Sequence, residues 1–448
     1  MDLSKKVFVL GIDGAPETLL AEYVEQGVMP NLKNILSGGY DLVQMDASIP
    51  DVSSTSWASF MTGVNPGEHG IYGFMELLPN TYRLTFPNYA SVKAPALWDI
   101  IGGTSGIKAS TLADKFKGRV PNNLRSIVIN MPETFPAPAL NGVLTSGFVC
   151  PDLKKGTYPE SAYEYLRSIN YIMDIEASNA SDKPDAFFDE ALLALNKRAE
   201  AFLHFMDNER WDLFIGVVTE TDRLHHFFFD AARDKTHKYH ERFVFFYTRM
   251  DDIIGRVFER FMASTNGRGL FMTMSDHGFA PIRKEVYLNR FFVEKGLLTL
   301  DPAREYFEQI GAGSKAFVMD PGRIYINFEG RYPGGAVSAR DRSSVVNEIK
   351  SILIDLKDSD GNAVINRVYD GTELYSGDES ARSPDLVAVG NDGFDIKGNI
   401  KKPQAFGTSH FRGMHTRHDA HCVMPSGTAP LGRLHIENIA SIILERFI

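Results

Sequence analysis

The chain has 448 residues, 44% hydrophobic and 23% charged, enough apolar side chain for a large core and too little polarity for a disordered polymer. Its formal charge of −10 leaves no cationic surplus for gripping a nucleic-acid duplex, and two cysteines, Cys150 and Cys422, are too few for a disulfide framework. No window reaches the roughly 20 consecutive apolar residues of a membrane span, so a cytoplasmic protein without a membrane partner is expected.

The opening "KVFVLGID" reads as a strand rather than a leader peptide, and residues 16 to 36 follow with helical periodicity. The segment "PDVSSTSWASFMTG" then places Ser53, Ser54, Thr55 and Ser56 where a loop gives way to a helix, a favourable position for an N-terminus. Further continuous apolar runs are "SIVIN", "LFIGVVTE", "GLFMTMSD" and, late in the chain, "PDLVAVG". Apolar strands alternating with helices predict an α/β fold with a mostly parallel central sheet sandwiched by helices.

Between them, residues 289–384 change character to short strands separated by Gly- and Asp-rich turns, predicting an inserted, cap-like covering region. The α/β core is then expected over 1–288 and 385–448, with a smaller insertion over 75–93.

In open α/β sheets ligands bind beyond the carboxyl ends of the strands. Asp13, Asp222 and Asp276 all fall there, His277 adjoins Asp276, and His226 lies four residues after Asp222, on the same helical face. His225 points away from that face. Histidines crowd "SHFRGMHTRHDAH", and His415 among them joins the potential ligands. Three carboxylates, three imidazoles and a hydroxyl can hold two metal ions side by side, and such pairs favour in-line displacement at phosphorus. A serine needs activation, and as the sequence places no histidine to act as its base, a metal is the natural activator.

The motifs "VLGIDGAPETLL", "TGVNPGEHGI", "INMPETFP", "TETDRLHHFFF", "TMSDHGF" and "GMHTRHDA" together resemble the alkaline phosphatase superfamily, and within it the type I phosphodiesterase/nucleotide pyrophosphatase family. The resemblance implies an alkaline-phosphatase-like fold and a nucleophile nine positions before Thr62, which is Ser53. It implies one divalent ion on Asp13, Asp276, His277 and the Ser53 oxygen, and another on Asp222, His226 and His415, with zinc first and manganese or iron as alternatives. His415, framed as "GMHT", best matches the family's Gly-x-His ligand, with His418 next and His418 or His421 in a supporting place. Ser54 and Thr55 would contact substrate.

The implied activity is hydrolysis of a small phosphodiester or pyrophosphate, nucleotides included, through a phosphoseryl intermediate. The same superfamily offers a phosphomonoesterase or phosphoryl transferase as alternative. Family pyrophosphatases carry an Asn after the "HGI" element, where this chain has Phe74. Arg223 is expected in an ion pair, and His69 in a structural role.

Overall fold

The computed structural model describes residues 2–103 and 108–448. Two compact units divide the chain. The first comprises Met1–Val64, Asn88–Phe279 and His415–Ile448, the second Asn65–Pro87 and Ala280–Met414.

The first unit is built on a sheet to which the described residues contribute nine strands: β1 (Val7–Ile12), β2 (Tyr40–Asp46), β3 (Ser126–Met131), β4 (Gly142–Ser146), β5 (Thr157–Tyr158), β6 (Leu213–Val218), β7 (Leu270–Met274), β8 (Ala420–Pro425) and β9 (Leu434–His435). Their order is β9-β2-β8-β7-β1-β6-β3-β4-β5. The five central strands, β7 to β4, run parallel. Strand β8 lies antiparallel to both β2 and β7, and β5 antiparallel to β4. The sheet is therefore mixed at its flanks and parallel at its centre.

Strand β1 shows why. Val7, Phe8, Val9, Leu10 and Ile12 are fully buried, the pattern of a strand covered on both faces. Phe8 stacks on Phe214 of β6 at 4.7 Å and on Phe271 of β7 at 5.7 Å, joining three strands through one ring. On that face Phe8, Leu10 and Ile12 share a core with helices α2 (Pro184–Asn208) and α4 (His240–Thr265). On the opposite face Gly11 admits the Trp57 ring of helix α1 (Ser53–Thr62), since a Cβ there would stand 2.5 Å from that ring. Helix α3 (Glu220–Phe228) follows β6 after a single residue, bringing its first turn to the carboxyl end of the sheet.

The second unit has its own core. Its four-stranded antiparallel sheet runs Ala316–Met319, Arg323–Ile326, Leu386–Gly390, Ile365–Asp370, and a smaller sheet is formed by Lys284–Tyr287, Phe394–Lys397 and Phe406–Gly407. Leu386–Gly390, the apolar run read as a strand of the main sheet, belongs here. A short apolar run is equally compatible with either kind of sheet, and periodicity alone cannot choose between them. The expected insertion, 289–384, lies wholly inside this unit, which also takes in 280–288 and 385–414; the early contribution is 65–87 rather than 75–93. No helix among the described residues is long and apolar enough to cross a membrane.

One buried ion pair ties α2 to the start of α3. Arg198 and Glu220 are 0% and 1% exposed and approach to 2.7 Å. Arg198 also donates from Nη1 to Tyr171 Oη at 2.6 Å and from Nη2 to the Met173 carbonyl at 2.9 Å. Removing one partner leaves an uncompensated charge in the core. Glu220→Gln should therefore lower unfolding free energy by about 3–5 kcal/mol in denaturant titrations, whereas a change below about 1 kcal/mol would contradict this reading.

Candidate active site

Asp13 is the first residue beyond β1, and its amide N–H donates to the Val218 carbonyl at the end of β6. Its carboxylate is fixed from α1, with Trp57 Nε1 donating to Oδ2 at 2.9 Å. The next residue, Gly14, has φ +65°, and a side chain there would collide with the Phe279 ring. That turn aims the Gly14 N–H at Asp276 Oδ1, 3.0 Å away. Two strand-end acids are thus locked to the same few atoms of backbone.

Asp276 follows β7 by two residues and is fully buried, and its Oδ2 has no hydrogen-bond donor. His277 Nε2 stands 3.3 Å from that oxygen. His277 Nδ1 lies 3.1 Å from the Gly278 carbonyl, so Nδ1 carries the hydrogen and Nε2 presents a lone pair. That lone pair faces Ser53 Oγ at 3.0 Å and stands 3.7 Å from Asp13 Oδ1 and 3.9 Å from Asp222 Oδ1.

Ser53 occupies the first turn of α1. The residue before the helix, Val52, supplies no side-chain cap, and the first intrahelical bond runs from Ser56 N to the Val52 carbonyl. The first-turn amides point outward with the positive end of the helix dipole, the arrangement that holds anions. Ser53 is not spent on capping. Ser54, Thr55 and Ser56 are buried behind it, and none of their hydroxyls has a hydrogen-bond partner.

Asp222 and His226 lie one turn apart on α3, with Nε2 3.4 Å from Oδ1. His415 arrives from a different part of the chain: its Nε2 lies 3.2 Å from Asp222 Oδ1 and 3.0 Å from His226 Nε2. Its Nδ1 donates to the Asp51 carbonyl at 3.0 Å, leaving Nε2 to face Asp222 and His226.

Two sets of donor atoms, Asp13–Asp276–His277 and Asp222–His277–His415, each fit within 4.8 Å and could hold a metal ion. His277 sits at their junction, its ring stacked 3.6 Å from that of His415.

The remaining histidines lie elsewhere. His418 bonds to Asp46 at 2.9 Å, and buried His421 bonds to the Ala15 carbonyl and Thr273. His225 turns into the core between the Gly14 carbonyl and Tyr247 Oη. In the second unit His69 is buried and accepts from the Ile71 N–H, and burial lowers it to about 3. Arg223 pairs with Asp174 at 2.8 Å. The contacts of Trp57, Gly14 and the Asp51 carbonyl had no signal in the sequence beyond their nearness to the motifs.

Crowding acids in a buried site has an electrostatic cost. Burial, with Asp276 and Asp222 nearby, pushes Asp13 well above the carboxylate range, and burial raises Asp276 to about 7. Burial opposes ionisation of Asp222 too, yet His226 and His415 hold it well below its ordinary value. Burial and His415 together lower His277 to about 4, keeping the imidazole neutral. The Asp13–Asp276–His277 side of the site presents lone pairs in place of a closed network of ion pairs.

A sequence model of the family described as type I phosphodiesterase / nucleotide pyrophosphatase matches residues 7–418. No curated protein matches the chain at a significant level. Among solved structures, phosphonoacetate hydrolase from Sinorhizobium meliloti 1021 in complex with phosphonoformate superposes with a TM-score of 0.64 at 15% identity, over 98% of this chain and 95% of that one. Murine ectonucleotide pyrophosphatase / phosphodiesterase 5, an inactive form in complex with AMP, gives 0.55 at 13% identity, over 99% and 94%. At these identities the likeness is one of fold.

A divalent cation entering this site competes with protons for Asp276 and Asp13, whose carboxyl pKa values burial raises. Because Asp276 titrates at about 7 without one, cation affinity should strengthen as pH rises through neutrality, with proton release. Titration calorimetry with manganese between about pH 6 and pH 8 measures this. Affinity independent of pH across that range would contradict it.

Proposed function

The chain belongs to the type I phosphodiesterase / nucleotide pyrophosphatase family of phosphoric ester hydrolases, and from that premise we propose that it cleaves small phosphodiesters or pyrophosphates through a phosphoseryl intermediate on Ser53. The observation that carries the reading is Ser53 Oγ lying 3.0 Å from the His277 Nε2 lone pair, at a helix N-terminus with no side-chain cap.

The residues fit a pair of divalent cations. Buried Asp276 Oδ2 without a donor, and the convergence of His226 and His415 Nε2 beside Asp222, are what a cation would satisfy. One ion would be held by Asp13, Asp276, His277 and Ser53, the other by Asp222, His226 and His415. Zinc suits this donor set, as do manganese and iron. Bound ions would supply Lewis acidity toward phosphoryl oxygen and lower the pKa of a coordinated hydroxyl.

The chain's own groups do the rest. The first-turn amides of α1 face incoming phosphoryl oxygens, and Asp13 Oδ1 and His277 Nε2 are the lone pairs nearest the Ser53 proton. Ser53 Oγ forms a bond to phosphorus while the bond to the leaving oxygen breaks, and that oxygen takes a proton from solvent. Water then displaces Ser53 from phosphorus and restores its hydroxyl. Two in-line displacements leave the configuration at phosphorus retained.

Ser53→Ala should abolish the acid-stable phosphoprotein seen on rapid quench and lower turnover by more than about 10³-fold. Label appearing instead on Ser54 or Thr55 would contradict the assignment. Asp276→Asn should remove turnover while leaving the circular dichroism spectrum intact. Full activity of that variant, or in excess chelator, would contradict the metal-dependent reading.

A further inference from the structure

Arg198 and Arg223 both stand near the carboxyl end of β6, and they are bonded very differently. Arg198 uses all three of its nitrogens, with Nε on Glu220, Nη1 on Tyr171, and Nη2 on Glu220 and the Met173 carbonyl. This is how a buried guanidinium with a purely structural role is satisfied. Arg223, one residue beyond Asp222 on α3, bonds along a single edge. Its Nε and Nη2 donate to Asp174 Oδ1 and Oδ2 at 3.3 and 2.8 Å, and its Cζ stands 4.3 Å from the centroid of the Phe148 ring. Its Nη1 is turned toward Asp222 Oδ2 at 3.9 Å, too far to bond.

The side chain is only 19% exposed, so it is oriented before any ligand arrives. Asp174 and Phe148 fix the guanidinium plane. The other edge is directed to the rim of the three-acid cluster.

We propose that Arg223 binds negative charge that the substrate carries beyond the phosphoryl group attacked by Ser53, making the preferred substrate class one with a second phosphate next to the scissile bond. The inference rests on the phosphodiesterase reading and sharpens it. A guanidinium held by one carboxylate along one edge can still present two parallel N–H groups along another, a geometry matched to phosphate oxygens. An ammonium has no such second edge. A simple diester, with nothing charged in its leaving group, would gain little from this residue.

The test is a matched pair of substrates sharing one attacked group: the nitrophenyl ester of AMP, whose leaving group has no further phosphate, and diadenosine pyrophosphate, whose leaving group is AMP. For Arg223→Gln, kcat/KM on the pyrophosphate should fall by about 10- to 100-fold, the range of a charge-assisted hydrogen bond, with less than about a threefold change on the nitrophenyl ester. Arg223→Lys keeps the charge but loses the fork; it should lose most of the pyrophosphate preference and decides the question alone if the glutamine variant does not fold.

Equal losses on both substrates would overturn the proposal by placing Arg223 on the attacked phosphoryl group or in the scaffold. No loss on either would overturn it as well. Wild-type protein that cleaves neither substrate would overturn the phosphodiesterase reading and this inference with it, whereas wild-type activity on both with undiscriminating variants overturns the inference alone.

Discussion

Everything at the carboxyl end of the sheet answers to one electrostatic problem, the burial of Asp13, Asp222 and Asp276 within a few ångströms of one another. Three carboxylates removed from water repel each other and lose solvation, and burial duly drives Asp13 and Asp276 toward their neutral forms. The surroundings compensate only in part. Trp57 serves one oxygen of Asp13, the Gly14 amide one oxygen of Asp276, and two imidazoles flank Asp222. Asp276 Oδ2 is left without a donor, and that oxygen is where a cation of the proposed site would bind.

The scaffold fixes that cluster tightly. Parallel strands β7, β1 and β6 release their chains on the same side, so acids just beyond each strand converge without long loops. Gly11 lets α1 approach β1 closely enough for Trp57 to reach Asp13, and Gly14 makes the turn that points its amide at Asp276. The same approach brings the N-terminus of α1, with Ser53, to His277. Packing on one face of the sheet thus sets the position of the hydroxyl on its edge. Phe8, on the other face, keeps the three strands in register.

Much of this was legible in the sequence because the responsible signals are local. Unbroken apolar runs announced β1, β6 and β7, and the four-residue spacing of Asp222 and His226 announced a shared helical face. What escaped depends on contacts between distant segments. Strand β2, whose exposure is mixed, and the antiparallel β8 border the parallel centre and carry no pattern that distinguishes them. Leu386–Gly390 reads as a core strand, yet its partners, Arg323–Ile326 and Ile365–Asp370, put it in a second sheet. Likewise no spacing rule reveals that His277 lies against Ser53, 224 positions away, or that Arg223 is held by Asp174.

The central claim is that two cation sites share the strand-end acids and flank Ser53. Anomalous diffraction from crystals grown with zinc or manganese addresses it most directly. The account predicts two peaks per chain, one among Asp13, Asp276, His277 and Ser53 and the other among Asp222, His226 and His415. A single peak, or peaks away from these side chains, would contradict it.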